Sequence, residues 1–341
     1  MASPPDAVTK IPREEDLLGT RSPHPPAYQP IPVTTLTPGT TPPFDLVTFI
    51  EESRVVFRRS GDAFTHEMRR VLADTGHDEL YITREDSKLY FSYLEGNMLS
   101  LLSDEDGAGS EERLGRSHDL GVVIAGHLLE QPHSQKAFSL ACRVVENSVD
   151  LAARQGEVLA CISAGSAMGN ALYSHSMRVS LYGLLIARGV GLESGEDLSD
   201  LGIGLMLHDI GRLGGSHGAE ASPSVLSFLD REEMERGPRD HPDRGLARVK
   251  TFSWVGPIAR DVIHNHHERL NGTGYPRGCC GEGLSIYARI AAVADAFDLR
   301  TMSDETHPSA RSFDALREMI TTEHGAFDPR LLALFVRQLA G

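Results

Sequence analysis

Cysteine is scarce in this sequence. Four residues, Cys142, Cys161, Cys279 and Cys280, in a chain of 341 are too few for a disulfide framework. Positive charge is short as well: 33 Lys and Arg face 48 Asp and Glu, a formal net charge of −15. That deficit argues against binding nucleic-acid polymers, which takes phosphate-neutralising Lys and Arg. It argues equally against docking on an anionic membrane surface. Long apolar runs are also missing. One long uncharged stretch, residues 158–177, holds Ser163, Ser166, Asn170, Ser174, His175 and Ser176, which is too polar to span a bilayer. Residues 1–43 lack an apolar signal segment, so the expected compartment is the cytoplasm. What remains is 40% apolar, enough for a packed core.

Composition divides the chain. Residues 1–43 carry 11 of the 19 prolines and cannot bury enough apolar surface to offset their ordering entropy, so a disordered leader is expected there. Residues 44–105 read as a small α+β module of regulatory or sensor type. Within it, residues 44–50, 54–57 and 79–83 are β-prone. Phe64, Met68, Val71 and Leu72 mark an amphipathic helix, and residues 88–102 mark a second. Residues 103–113, acidic and Gly-containing, read as linker, and 106–165 as linker and connecting helices. From residue 117 onward the pattern is helical almost throughout, with no internal repeat and no alternation of strands and helices. The fold class expected is mainly α, with the helical domain at 166–341.

Histidines fall where apolar residues belong. Leu198, Leu201 and Leu205 form a helical stripe that His208 and Asp209 continue. His175 lies on the stripe of Met168, Leu172, Val179, Tyr182 and Ile186. A third stripe, from Val255 to Ile263, ends in His266 and His267. Asp295 and Asp298 flank the stripe of Ile290, Val293 and Phe297, and His241 opens a helix just before Pro242, a favoured first helical residue. A carboxylate on a buried stripe is costly unless paired or metal-bound. Imidazoles and carboxylates projected inward from several helices are how helical bundles build metal sites, and this donor set suits Mn, Fe or Zn.

Five segments carry a family resemblance. Leu207-His208-Asp209-Ile210-Gly211 resembles the signature of the HD phosphohydrolase superfamily. The run from His266-His267-Glu268 through Gly272-Thr273-Gly274-Tyr275-Pro276 resembles the extended motif of its HD-GYP subgroup. His241-Pro242-Asp243-Arg244-Gly245 is similar to that subgroup's HPxxG element, Ala294-Asp295-Ala296-Phe297-Asp298 to its last ligand segment, and Phe327-Asp328-Pro329 to a short C-terminal element. The resemblance covers about residues 165–340 and none of 1–115.

What the resemblance implies is a cyclic di-GMP phosphodiesterase on an HD helical fold. Its cofactors would be two divalent ions, Fe or Mn, and a hydroxide between them would attack phosphorus to give pGpG, with GMP as a further product. His175, His208, Asp209 and Asp295 would hold one ion. Asp209 would bridge to another held by His241, His266 and His267. Asp209, Arg212 and Glu268 would be catalytic, and Arg212, Arg269, Gly274, Tyr275 and Pro276 would border the substrate. A diguanylate cyclase or other signalling protein could dock on the GYP loop, and a homodimer stays open. Alternatives are a low-turnover cyclic di-GMP receptor or scaffold, and an HD hydrolase of another cyclic nucleotide.

The sequence departs from the family pattern in five places. Arg212 replaces Lys, and Asn271 replaces Asp. Ser303-Asp304-Glu305-Thr306-His307 stands where an Arg-containing phosphate clamp is usual, with Arg300 or Arg311 as substitutes. Residues 214–240 form a longer stretch without the usual KPG-type segment. Ala171 occupies the position of a Glu that holds a third ion in some members, so a dinuclear site is expected. His264 is expected at the surface or behind the ligands, Cys279 and Cys280 as small packing residues, and His118, His127 and His133 without a role.

Overall fold

The structure is a computed structural model that describes residues 27–50, 53–103, 109–130, 134–155, 171–213, 237–301 and 308–340. The expectations for residues 1–26, 156–165, 214–236 and 303–307 lie outside that range. Two compact units divide the chain, Met1–Met98 and Leu99–Gly341.

The first unit is a four-stranded antiparallel sheet with helices. Strands β1 (Tyr28–Pro32), β2 (Leu46–Ile50), β3 (Ser53–Arg58) and β4 (Glu79–Thr83) pair in the order β1-β4-β2-β3. Helix α1 (His66–Asp74) follows a Thr65 cap whose side chain accepts from the Met68 N–H, and α2 (Ser87–Leu102) follows β4. Leu46, Phe64, Leu80, Ile82 and Leu94 are fully buried. The ordered module therefore starts earlier than residue 44, since β1 falls within the stretch expected to be a leader. Pro30 and Pro32 concealed it. Proline cannot donate to a ladder, but β1 is an edge strand that pairs only with β4, and an edge tolerates the missing N–H.

The second unit is helical. Its elements are α3 (Ser110–Glu130), α4 (Gln135–Gln155), α5 (Ala171–Gly189), α6 (Gly195–Leu207), α7 (His241–Val249), α8 (Pro257–Asn265), α9 (Ile286–Thr301), α10 (Pro308–Thr321) and α11 (Pro329–Ala340). The expected linker is shorter than residues 103–113, because α3 already begins at Ser110. Helices α3 and α4 pack on each other and on α5 and α6, so they belong to the body of this unit. At its centre α5, α6, α8 and α9 pack together. Helix α6 starts at Ser194, whose side chain accepts from Asp197 N–H, and buries every residue from Leu201 to Leu207. Helix α9 is buried from Ile290 to Leu299. Among the described residues, no helix is long and apolar enough to cross a membrane.

Candidate metal centre

Helix ends deliver most of the functional side chains. His208 is the C-terminal cap of α6, and Asp209 opens the short 3-10 turn Ile210–Arg212. His241 is the first residue of α7, with Pro242 in its first turn. Helix α8 stops at Asn265, which makes His266 its cap and puts His267 beyond it. His175 lies in the second turn of α5 and Asp295 midway along α9. All seven are buried, with His267 the most exposed at 7%.

These seven side chains converge. His175, His208 and Asp209 form one potential ligand group, and Asp209, His241, His266 and His267 form another, so Asp209 is common to both. Asp209 Oδ1 lies 3.1 Å from His241 Nε2 and 3.7 Å from His266 Nε2. Its Oδ2 lies 3.6 Å from His208 Nε2 and 4.0 Å from His175 Nε2. Asp295 Oδ1 is 3.4 Å from His175 Nε2 and 3.8 Å from His208 Nε2, while its Oδ2 is 3.4 Å from His267 Nδ1.

Ring orientation tests whether cations fit. His208 Nδ1 faces Leu205 O at 2.6 Å, His241 Nδ1 faces Pro238 O at 2.8 Å, and His266 Nδ1 faces Ile263 O at 3.0 Å. A ring nitrogen against a carbonyl oxygen carries the proton, which leaves Nε2 as a lone pair. Yet His241 Nε2 and His266 Nε2 stand 3.2 Å apart, and His175 Nε2 and His208 Nε2 stand 3.1 Å apart. Facing lone pairs at that range need a positive charge between them. The Asp209 oxygens, Asp295 Oδ2 and His267 Nε2 are buried with no hydrogen-bond partner among the described residues. The donor set and its unsatisfied atoms fit divalent metal ions.

Titration behaviour follows the same layout. Burial opposes ionisation of Asp209, but Arg212 and the surrounding imidazoles hold its carboxyl well below the usual range. Asp295 is likewise lowered, because His175 and His267 outweigh burial. Burial pushes His208 down to about 4, reinforced by His266 and His175, and it also lowers His266 and His267. His175 goes the other way. Burial would lower it, but Asp295 and Asp298 raise it to about 9.

Asp298, which the sequence marks only as flanking a buried stripe, orients a ligand. Its Oδ2 accepts from His175 Nδ1 at 2.7 Å, and Arg178 donates to both of its oxygens at 2.6 and 3.0 Å. This carboxylate fixes the His175 ring so that Nε2 points at Asp209 and Asp295. The available signal was the spacing: Arg178 is three residues after His175, and Asp298 three after Asp295. Outer carboxylates of this kind are typically worth ten- to a hundredfold in metal affinity. Asp298→Asn is therefore expected to weaken metal binding by about that factor in a metal titration.

The other expected site residues sort by what they touch. Arg212 Nε lies 2.6 Å from Asp209 Oδ1, directly in the cluster. Tyr275 stacks on His267 with ring centres 4.6 Å apart, and Arg239, which no sequence motif marks, lies over the Tyr275 ring at 5.3 Å. Glu268 is buried, and its two oxygens accept from the Arg277 and Cys279 N–H groups at 2.7 and 3.0 Å. Those bonds hold the loop after Pro276. Arg269 donates to His266 O and Glu268 O and lies over the Phe327 ring, so it braces the backbone beside the cluster. Gly274 is pressed against the chain, since a Cβ there would sit 2.4 Å from His267 O. Arg300 is engaged by Glu318 and Glu323, and the Arg311 side chain lies outside the described residues. His264 donates to Asp243 near the surface, away from the cluster.

Comparison with known proteins agrees with this geometry. The HD domain profile matches residues 170–331, which span every residue of the centre. A cyclic di-GMP phosphodiesterase of Pseudomonas aeruginosa is 32% identical over 48% of this chain and 39% of its own length. A 3'3'-cGAMP-specific phosphodiesterase of Vibrio cholerae is 33% identical over 48% of this chain and 35% of its own. The chain thus spans well under half the length of these two relatives. Among solved structures, Bd1817, an HDG"Y"P protein from Bdellovibrio bacteriovorus, superposes with a TM-score of 0.66 at 19% identity, over 92% of this chain and all of that one, a likeness of fold. With an HD motif on the shared carboxylate, an HPxxG element at the start of α7 and a GYP loop folded over His267, residues 170–331 match the HD domain family and are similar to cyclic dinucleotide phosphodiesterases that carry it.

Proposed function

We propose that this protein is a phosphodiesterase that hydrolyses cyclic di-GMP to pGpG, with GMP as a further product, at a centre of two divalent ions, iron or manganese. The observation that carries this reading is the position of Asp209, one carboxylate serving two groups of inward-facing imidazoles. Divalent ions bound there would supply Lewis-acid charge, which activates water and stabilises the in-line transition state of a phosphodiester. His175, His208, Asp209 and Asp295 would hold one ion, and Asp209, His241, His266 and His267 the other. The chain's own residues do the rest. Backbone carbonyls and Asp298 keep the Nδ1 protons outward, so the lone pairs stay aimed at the centre. Tyr275 caps His267, Arg239 lies over the Tyr275 ring, and Arg212 adds positive charge where a phosphate would enter. Glu268 and Arg269 act at one remove, by holding the loop that carries Tyr275 and Pro276.

The acidity of the whole chain does not oppose an anionic substrate, because two divalent ions bring more charge than Asp209 and Asp295 return. The same reading places the protein in the cytoplasm, with the GYP loop as the surface for a signalling partner. The test is incubation of the Mn2+- or Fe2+-loaded protein with cyclic di-GMP, with products resolved by chromatography. Formation of pGpG is the expected result. Tight binding without product would make the protein a receptor. Turnover of 3'3'-cGAMP alone would move the substrate to that dinucleotide.

A further inference from the structure

Arg212 is 8% exposed and sits on one particular oxygen of Asp209. Its Nε is 2.6 Å from Oδ1, the oxygen that faces His241 and His266. The other oxygen, Oδ2, faces His208 and His175. A buried carboxylate needs positive charge beside it to remain ionised, and Arg212 places a permanent cation on Oδ1. The contact is a close ion pair, for Oδ1 accepts no hydrogen bond of good geometry. A guanidinium and a divalent ion cannot share Oδ1 without strong repulsion at this range. The two halves of the centre are therefore unequal: a guanidinium, charged at any ordinary pH, lies on Oδ1, whereas only imidazoles face Oδ2.

We propose that Arg212 is an exchangeable counter-ion of Asp209 that must leave Oδ1 when an ion enters the His241, His266 and His267 group, so that this half fills second and more weakly than the half at His175 and His208. The proposal rests on the reading that the cluster holds divalent ions, and it adds an order of loading and a residue that sets it.

Calorimetric titration of the chelator-stripped full chain with Mn2+ tests it. Two binding steps are expected. His241→Ala should remove the weaker one and His175→Ala the stronger. In Arg212→Met the weaker step should tighten by about tenfold or more, the scale of removing one close competing charge, while the stronger step stays in place. The metal-free variant should also melt earlier than wild type, with the gap closing once metal is bound. A purely structural role would lower both melting temperatures together and leave the weak step unchanged. An unchanged or weakened second step in Arg212→Met overturns the proposal, as does assignment of the weak step to His175. A wild-type chain that binds no Mn2+ overturns the metal reading itself. Should Arg212→Met fail to fold without metal, the wild type can be titrated with Zn2+ in 15N spectra. The Arg212 Nε–H signal, identified by its absence from Arg212→Lys, should move with the second equivalent. A signal that stays still through that equivalent counts against exchange.

Discussion

Asp209→Ala is expected to abolish metal loading and to lower the proposed phosphodiesterase activity by about a thousandfold or more. That factor corresponds to about 4 kcal/mol of transition-state stabilisation, within the several kcal/mol that Lewis-acid charge contributes. The size of the effect comes from the double duty of this side chain. Each imidazole serves one group, whereas Asp209 serves both, so its loss removes a ligand from each half. The variant also strips Arg212 of the carboxylate 2.6 Å away. Breaking a buried pair by removing one partner costs about 3–5 kcal/mol, and the metal-free variant should unfold correspondingly earlier. Elemental analysis, chromatographic assay and thermal unfolding of the same preparation measure all three effects. His264→Ala is the useful control. That ring bonds Asp243 near the surface, and its loss should leave metal content unchanged. Retained metal and activity in Asp209→Ala would sink the proposed centre.

Much of this centre was legible because burial and chemistry conflict along the helices. His208 and Asp209 continue an apolar stripe, and a charged residue on such a stripe demands an explanation that the sequence itself can pose. The same conflict marked His175, His266 and His267. Asp298 was harder to read. It lies beside Asp295 in the sequence, but its purpose depends on His175 and Arg178, about 120 residues earlier, and no local pattern encodes a pairing at that distance. Glu268 is similar. As part of the motif it suggested chemistry, while its oxygens in fact close the loop through two backbone N–H groups. Strand β1 was masked by its prolines, which say loop by propensity and edge strand by context. The end of α8 at Asn265 has no mark in the pattern, because the apolar period runs on into His266, which is buried as a cap.

Gly211→Ala should be the most damaging single-methyl change in the second unit, with a loss of about 3 kcal/mol or more of stability, at or beyond the upper end for overpacking. A Cβ at this position would lie 1.9 Å from His241 O and 2.6 Å from Gly245 N. Both are backbone atoms, so no rotamer change relieves the clash, and the turn Ile210–Arg212 must separate from the start of α7. That separation moves His241 relative to Asp209, which it now approaches to 3.1 Å. The variant should therefore lose the ion held by His241, His266 and His267 while keeping the one at His175 and His208. Two companion substitutions calibrate the claim. Gly245→Ala places its Cβ 2.9 Å from the Ile263 side chain, which can shift, so a smaller loss of about 1 kcal/mol is expected. Gly283→Ala meets nothing within 4 Å and should stay within about 0.5 kcal/mol of wild type. Urea unfolding ranks the three, and metal stoichiometry on the folded fraction separates displacement of His241 from general loosening. Equal losses at Gly211 and Gly283 would contradict the packing of the turn on α7. The glycine of the HD motif is on this account a spacing element: it lets two backbones touch so that His241 can reach the carboxylate that both halves of the centre share.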